Sequence, residues 1–322
     1  MVVLRRDEFL SRYEGWRAFA EADLHEPPEH RTLSEIQSLT DGTRDDYNER
    51  RRQYHSTFLV RTPQVKRILT SLWDVLDANM QGPDRVKGAA VIDAPPALGK
   101  STVANAFGRE FHLQQIQRHG ALLDDGSTFH LPVCRVGFNG NMTTRALNEA
   151  ILNFYAHPAA DSAKNRSLRN RNLATVAADC VRRHGTRLII VDDVHFLRVK
   201  GKAAMSQTAR RWTLLTLEPF EPPPRDGGKT WGSLLATIES KLVLANAREG
   251  MLRAESDYLF TRSSGMIGSL FELIIRGAAR AIRTGEENLS RELLDSIQID
   301  AAAEDRRATL GADLAVMRSA RK

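Results

Sequence analysis

A lysine and two hydroxyl residues directly follow a glycine in the stretch DAPPALGKST, residues 93–102. Binding a nucleoside triphosphate needs these residue types, because backbone N–H groups and a lysine contact the phosphates and a hydroxyl contacts Mg²⁺. Such a loop follows a strand and leads into a helix, whose positive N-terminal end faces the phosphates. The sequence therefore predicts an ATP and Mg²⁺ site in which Lys100 has a catalytic role and Ser101 binds the metal. The predicted nucleotide-binding residues are Pro95, Pro96, Ala97, Leu98, Gly99, Lys100, Ser101 and Thr102.

Two alanines distinguish this stretch from the usual Gly-x-x-x-x-Gly-Lys-Ser pattern. Ala94 stands at the first glycine, and Ala97 stands at another position where glycine is common. We expect Ala97 to be tolerated if its φ is negative, whereas a positive φ would cost roughly 1 kcal/mol. The stretch GGKT, residues 227–230, has similar letters but follows a proline-rich segment rather than a strand, so we assign it no nucleotide role.

Two aspartates end the apolar run LIIVDD, residues 188–193. Alone, this pattern is typical of a buried strand that ends in an N-cap aspartate. Together with the upstream loop, it predicts that Asp192 holds Mg²⁺ through water and that Asp193 polarises the attacking water. Aspartate is one methylene shorter than the glutamate usual at the second position, which predicts slower hydrolysis with binding intact.

Around both motifs, continuous apolar runs alternate with segments whose apolar residues have helical spacing. Three solidly apolar runs are predicted strands, namely those in GAAVIDAP, HLPVCRVGF and TRLIIVDDVHFL. The spacing predicts a helix at 62–80 with Thr62 as N-cap and Pro63 at its first position, and Thr143 or Thr144 as N-cap of TTRALNEAILNFYA. Continuous apolar strands separated by helices predict an α/β fold with a parallel sheet covered by helices on both faces.

Composition divides the chain into four segments. We expect a polar N-terminal arm at 1–55, partly helical and with little core of its own, followed by a P-loop core at 56–225. An all-helical domain is expected at 226–305 and a flexible tail at 306–322.

The bulk composition is that of a globular protein, with 322 residues, 42% of them hydrophobic and 27% charged. No apolar run approaches a membrane span and the charged start MVVLRRDEFL lacks a secretion signal, so we expect a cytoplasmic protein without a membrane partner. Cys134 and Cys180 have no metal-ligand spacing and are predicted to be reduced, buried thiols. The net charge of +6 permits nucleic-acid binding without requiring it.

Several segments, taken together and in order, resemble the TniB/TnsC-type AAA+ ATPases of DNA transposition. They are YHSTFLVRTPQV, APPALGKST, HLPVCRVGF, LIIVDDVHFL, TARRWTLLTLEPF and SSGMIGSLFELIIRGAARAI, and the similarity covers about residues 45–304. The resemblance implies an AAA+ P-loop NTPase with a small C-terminal helical lid. It also implies a regulator of target selection that binds ATP, assembles as a homo-oligomeric ring or filament on duplex DNA, and recruits or stimulates a transposase.

The resemblance assigns roles to the residues that match the family's motifs. Residues 100–101 match the Walker A contacts and residues 192–193 match the Walker B acids. Arg210 and Arg211 are the best candidates for an arginine that reaches a neighbouring subunit's phosphates, which would couple assembly to hydrolysis. A solvated basic turn is the alternative interpretation of that pair.

Two departures from the family pattern affect the prediction of ATP hydrolysis. Between Phe196 and Arg210 a family member normally has a further helix and an apolar strand that carries the sensor-1 residue, but here only LRVKGKAAMSQTA intervenes. The lid segment GMIGS has no sensor-2 arginine, and the nearest arginines are Arg262 and Arg276. The sequence therefore supports ATP binding better than ATP turnover.

Three basic stretches are candidates for DNA contacts. Lysine, arginine, threonine and a helix N-terminus would bind phosphates in a sequence-tolerant and salt-sensitive way, while the alternative for each stretch is a solubilising loop. The candidate residues are Thr143, Thr144, Arg145, Lys164, Arg166, Arg169, Arg171, Lys200 and Lys202.

Two further functions fit the same sequence. One is a hydrolysis-deficient nucleotide-binding scaffold that serves only to dock the transposase, and the other is a helicase-loader-like or NACHT-like signalling ATPase. Measuring ATP turnover in the presence of DNA separates the scaffold from a working ATPase.

Overall fold

The computed structural model describes residues 9–23, 26–57, 60–81, 86–137, 143–160, 170–193, 211–223 and 229–299. The helices in these residues are α1 (Tyr13–Glu21), α2 (Leu33–Ser38), α3 (Asp41–Thr57), α4 (Pro63–Gln81), α5 (Lys100–His119), α6 (Thr144–Phe154), α7 (Asn170–Arg183), α8 (Lys229–Glu239), α9 (Met251–Ala254), α10 (Ser256–Ser263), α11 (Ile267–Thr284) and α12 (Arg291–Asp295). The strands are β1 (Ala89–Asp93), β2 (Val133–Gly137), β3 (Leu188–Asp192) and β4 (Trp212–Thr216). Across these described ranges, every helix is too short or too polar to span a bilayer.

The strands form two parallel pairs, which confirms the predicted α/β character. Strand β2 pairs with β3 in parallel, with Val133 opposite Leu188 and Gly137 opposite Asp192. Strand β1 pairs with β4. The Ala89 N–H donates to the Arg211 carbonyl at 3.0 Å and the Leu217 N–H donates to the Asp93 carbonyl at 3.0 Å, so both strands advance in the same direction. Within the described residues no ladder joins the two pairs.

The prediction that helices cover both faces of the sheet is not confirmed at β3 and β4 by the described residues. Ile190 is 8% exposed and faces α5, where a side chain at Gly108 would lie 2.5 Å from Ile190 Cδ1. Its neighbour Ile189 is 41% exposed, because alternate residues of a strand face opposite sides and the described helices cover one of them. Strand β4, which the sequence analysis did not predict, leaves Leu214 63% exposed.

The predicted helix starts are confirmed. The Thr62 hydroxyl accepts a hydrogen bond from the Val65 N–H at 3.2 Å, and α4 begins at Pro63. Of the two threonines proposed before α6, Thr143 is the N-cap, and its hydroxyl accepts from the Ala146 N–H at 3.1 Å. Each of these caps satisfies a backbone donor that the first turn of a helix leaves unpaired.

The fold comprises two compact units, each built from separate stretches of the chain. One contains Met1–Asp23, Leu69–Val91 and Ser101–Leu214, and the other contains Leu24–Ile68, Ile92–Lys100 and Leu215–Lys322. The domain boundaries inferred from composition stay predictions.

The first unit buries α1 against α5. Trp16 is fully buried, and its Nε1–H donates to His112 Nδ1 at 3.3 Å. Strand β2 lies in the interior of this unit, where Cys134 is fully buried and its burial raises the pKa of the thiol to about 12. Cys134 and Cys180 are both free and buried, as predicted.

The second unit has a continuous hydrophobic core made by its helices. Trp231, Leu259 and Ile274, from α8, α10 and α11, are fully buried in it. Over the described residues 229–299 this region contains helices α8 to α12 and no strand.

Helix α3 belongs to this second unit and packs against α11. Arg51 is fully buried and forms two hydrogen bonds with the Glu287 carboxylate, at 2.6 and 2.8 Å. Beside it, the Val243 N–H donates to His55 Nε2 at 2.9 Å. These contacts anchor a helix whose polar sequence predicted little burial, because burying a charge is tolerated only when a partner compensates it.

Candidate nucleotide and metal site

The loop between β1 and α5 joins the end of a strand to the start of a helix, as a phosphate-binding loop does. Ala97 and Gly99 have φ values of 61° and 82°, so the chain turns through the left-handed region twice before α5 begins at Lys100. Leu98 is 3% exposed and anchors the loop, while Pro95 and Pro96 are exposed. Ala97 therefore does not have the negative φ at which an alanine is tolerated without strain, and its positive φ costs roughly 1 kcal/mol relative to glycine.

The Lys100 side chain folds back onto its own loop. Its ammonium donates hydrogen bonds to the Ala94 carbonyl at 2.6 Å and to the Pro95 carbonyl at 3.2 Å. Neutral carbonyls are weaker partners for an ammonium group than phosphate oxygens. Lys100 is thus held at the loop by contacts that a triphosphate can replace.

The loop also contacts the first turn of α11. The Gly268 N–H donates to the Ala97 carbonyl at 2.7 Å, and a Cβ at Gly268 would lie 2.5 Å from that oxygen. Because the helix N-cap, Met266, provides no side-chain acceptor, the loop carbonyl supplies an acceptor that the helix start lacks.

Ser101 and Asp192 meet, although 91 positions separate them in sequence. The Ser101 hydroxyl donates to Asp192 Oδ1 at 2.9 Å, which places the first turn of α5 beside the carboxyl end of β3. Thr102, the next predicted residue, is exposed.

Asp192 has two more polar contacts. Arg135 Nη2 donates to Asp192 Oδ2 at 2.5 Å, and the Asp193 N–H donates to Asp192 Oδ1 at 3.1 Å. Asp193 itself is exposed and has a φ of 59°, so the chain turns sharply immediately after β3. Sequence reasoning missed Arg135, although a charged residue inside the apolar run HLPVCRVGF was a signal for it.

The oxygens of Ser101 and Asp192 fit a magnesium ion. Mg²⁺ prefers hard oxygen ligands and is usually held by one or two protein groups, while waters and substrate phosphates complete its octahedron. Among the described residues no three His, Cys, Asp or Glu side chains gather into a metal site. A hydroxyl and one carboxylate oxygen at 2.9 Å are the donor set that this chemistry uses.

The arginine-finger and sensor candidates occupy different environments. Arg211 is exposed, while Arg210 lies outside the described residues. Arg262 is 1% exposed and donates to the Leu294 and Ile297 carbonyls at 2.9 and 2.6 Å. Arg276 pairs with Glu272 of its own helix.

The DNA-contact candidates are described only in part. Thr143 and Thr144 are exposed at the start of α6, and Arg145 Nε donates to Glu149 Oε1 at 2.8 Å on the same helix. The remaining candidates lie outside the described residues or, for Arg171, have a side chain that is not described, namely Lys164, Arg166, Arg169, Arg171, Lys200 and Lys202.

Comparison with known proteins agrees with the geometry of this region. A family model described as an AAA domain matches residues 84–219, a range that includes the loop, Ser101, Arg135 and both aspartates. A search of curated proteins found no match. AAA domains are P-loop nucleoside triphosphatases, and the short parallel strands and helices of this range are consistent with that class. Residues 84–219 are therefore similar to the AAA domains of AAA+ ATPases.

Proposed function

We propose that this chain binds ATP together with Mg²⁺ through its AAA domain. The contact between the Ser101 hydroxyl and Asp192 Oδ1, at 2.9 Å, is the observation that supports this proposal most directly. A serine after Gly-Lys and an acid at the end of a buried strand have separate structural explanations when they stand alone. Their direct contact favours a common ligand for both.

Each residue has a distinct part in binding. The Lys100 ammonium would exchange the Ala94 and Pro95 carbonyls for phosphate oxygens, and the N–H groups at the start of α5 would face the same anion. Ser101 and Asp192 would orient the metal, with Asp192 acting through water. Bound Mg²⁺ supplies charge neutralisation on the phosphates.

Equilibrium binding of a fluorescent ATP analogue tests this proposal with the variant Lys100→Ala. Losing two charge-assisted hydrogen bonds should cost about 3 kcal/mol, or roughly 100-fold in Kd. Lys229→Ala is the matched control, since Lys229 lies in the second Gly-Lys-Thr sequence, to which no nucleotide role is assigned. Equal affinities for Lys100→Ala and the unaltered protein, or no ATP binding by the unaltered protein, would overturn the proposal.

We further propose that the bound nucleotide controls assembly on duplex DNA, and that the protein is an ATP-dependent regulator of DNA transposition that recruits a transposase. Support comes from the resemblance of residues 45–304 to TniB/TnsC-type proteins and from the net charge of +6. The exposed Thr143 and Thr144 at the start of α6 are suited to phosphate contacts.

Co-sedimentation with duplex DNA tests this second proposal. Binding should require ATP, tolerate any sequence and weaken steeply as salt rises, because each neutralised phosphate releases counterions. Purified transposase added to the pelleted complex should co-sediment with it. DNA binding that ignores both ATP and salt would contradict this proposal while leaving the ATP site intact.

A hydrolysis-deficient scaffold is the second candidate function, and Asp193 favours it. Its side chain is one methylene shorter than that of glutamate. Asp193 is exposed, and its own backbone lies in the left-handed region with a φ of 59°. Measured ATP turnover in the presence of DNA separates the two candidates. Turnover that disappears in Lys100→Ala supports the ATPase, whereas ATP-dependent DNA binding without turnover supports the scaffold.

A further inference from the structure

Arg135 reaches along strand β2 to the metal side of the proposed site. In the register of β2 and β3, Arg135 lies opposite Ile190 and Gly137 lies opposite Asp192. Residues two apart in a strand face the same side, so the Arg135 side chain must pass Gly137 to reach Asp192. A Cβ at Gly137 would lie 3.2 Å from Arg135 Nη1, which means that the absent side chain leaves the guanidinium its path.

The Arg135–Asp192 pair is largely screened from water. The two side chains are 14% and 15% exposed, and Arg135 Nη1 also donates to the Ser11 hydroxyl at 3.2 Å. The Arg135 Nε–H is buried and has no hydrogen-bond partner within the described part of the chain. The Arg135 guanidinium thus divides its hydrogen bonds between the Asp192 carboxylate and the Ser11 hydroxyl.

The guanidinium divides the labour between the two oxygens of Asp192. It donates to Oδ2, while among the described residues Oδ1 accepts from the Ser101 hydroxyl and the Asp193 N–H. Without a fixed cation at Oδ2, the Asp192 carboxylate at the strand end would attract a divalent cation more strongly. A fixed positive charge on one oxygen opposes a second cation nearby.

We propose that Arg135 is a positioning residue that turns Asp192 Oδ1 toward Ser101 and suppresses divalent-cation binding until a nucleotide is present. This inference rests on the proposed function, because it takes Ser101 and Asp192 as the metal side of the nucleotide site. In the nucleotide-free protein the positive charge of Arg135 weakens the attraction of Asp192 for a divalent cation. A bound triphosphate would restore that attraction through its own negative charge.

Titration of the nucleotide-free, full-length protein with Mn²⁺, followed by the electron paramagnetic resonance signal of the free ion, tests the proposal. Arg135→Met should bind Mn²⁺ at least tenfold more tightly than the unaltered protein, and Arg135→Lys should restore weak binding. Arg182→Met is the matched control, since Arg182 pairs with Asp179 at an exposed position of α7 and its removal lowers the net charge equally. Adding Asp192→Asn to Arg135→Met should abolish the gain.

Two results would overturn the proposal. One is Mn²⁺ affinity in folded Arg135→Met that equals that of the unaltered protein, and the other is a gain that survives Asp192→Asn. Arg135→Gln is a second variant, which keeps a polar side chain but removes the positive charge and should tighten Mn²⁺ binding in the same direction. If Arg135→Met does not fold, unchanged Mn²⁺ binding by Arg135→Gln overturns the proposal instead. No nucleotide is used, so these results are separate from the failure of ATP binding itself.

Discussion

The pairs Arg51–Glu287 and Arg135–Asp192 are both sheltered arginine–carboxylate contacts, but the two carboxylates differ in what else they bind. Glu287 is 2% exposed and is bound at both oxygens by Arg51, and its Oε2 also accepts from the Ala245 N–H at 3.1 Å. Asp192 is 15% exposed and gives the guanidinium only one oxygen. Both carboxylates accept three hydrogen bonds from described residues, but the donors to Glu287 are a guanidinium and a backbone amide, whereas one donor to Asp192 is a neutral serine hydroxyl.

This difference separates a structural use of the pair from a functional one. A ligand at Glu287 would compete with a buried guanidinium at both oxygens, so this carboxylate is suited to holding α3 to the rest of its unit. Asp192 can exchange a neutral hydroxyl contact for a metal-bound water at little cost. The Arg51–Glu287 pair therefore holds a helix in place, whereas the Arg135–Asp192 pair leaves its carboxylate available to a ligand.

The largest expected effect comes from breaking the Arg51–Glu287 pair. Arg51→Met leaves Glu287 buried without its cation, which should lower the free energy of unfolding by about 3–5 kcal/mol. Urea unfolding followed by circular dichroism measures this loss. Arg52→Met, on the same helix but in an exposed pair with Glu49, should cost about 1 kcal/mol or less. Similar losses for the two variants would remove the contrast between the two arginine pairs.

A second expected effect is a pH dependence of protein stability that arises from His55, which lies beside Arg51. Burial is the main cause that lowers the pKa of His55 to about 4, and the nearby Arg51 charge lowers it further in the same direction. The unfolded chain holds the proton more tightly, so this contribution is complete above pH 6.5 and is lost as the pH falls towards 4. Stability should decline by roughly 3 kcal/mol over that window.

The comparison variant for this effect is His55→Gln, whose amide oxygen can still accept from the Val243 N–H. Urea unfolding at a series of pH values should give a shallower slope for His55→Gln between pH 6.5 and 4. Equal slopes for the two proteins would show that another group titrates in that range.

The smallest expected effect on stability comes from removing the serine hydroxyl that contacts Asp192. Ser101→Ala removes a neutral donor from Asp192 and should change the free energy of unfolding by about 1 kcal/mol or less. Its ATP affinity should lose most of its dependence on Mg²⁺, which a titration with and without the metal measures. Thr102→Ala, an exposed neighbour in the same helical turn, controls for the stability effect of alanine. A stability loss in Ser101→Ala as large as that in Arg51→Met would place Asp192 among the structural anchors.

The sequence predicted the local features of the fold because short-range rules determine them. A threonine before an apolar helical pattern located the caps at Thr62 and Thr143, and the continuous apolar runs predicted parallel pairing of β2 and β3. The approach of Ser101 to Asp192 was also foreseeable, since carboxyl ends of parallel strands share one edge of a sheet. The functional roles of these residues stay predictions.

The long-range features were not accessible in the same way. The burial of Arg51 depends on Glu287, 236 positions away, and nothing near RDDYNERRR identifies that partner. Arg135 is one charge in an apolar strand, and its target became visible only through the register that sets Gly137 opposite Asp192. The positive φ of Ala97 departs from a residue preference, and a preference is overridden wherever neighbouring contacts hold the chain.

The hydrogen bond between the Ala97 carbonyl and the Gly268 N–H, at 2.7 Å, makes the phosphate loop and helix α11 mechanically continuous. The loop cannot shift towards a ligand without either rupturing that bond or dragging the first turn of the helix with it. Since α11 has 18 residues and rises about 1.5 Å per residue, it extends for about 27 Å, and its residues Leu270, Leu273 and Ile274 are buried in the hydrophobic core of its unit. The position of the loop is therefore tied to the packing of that core.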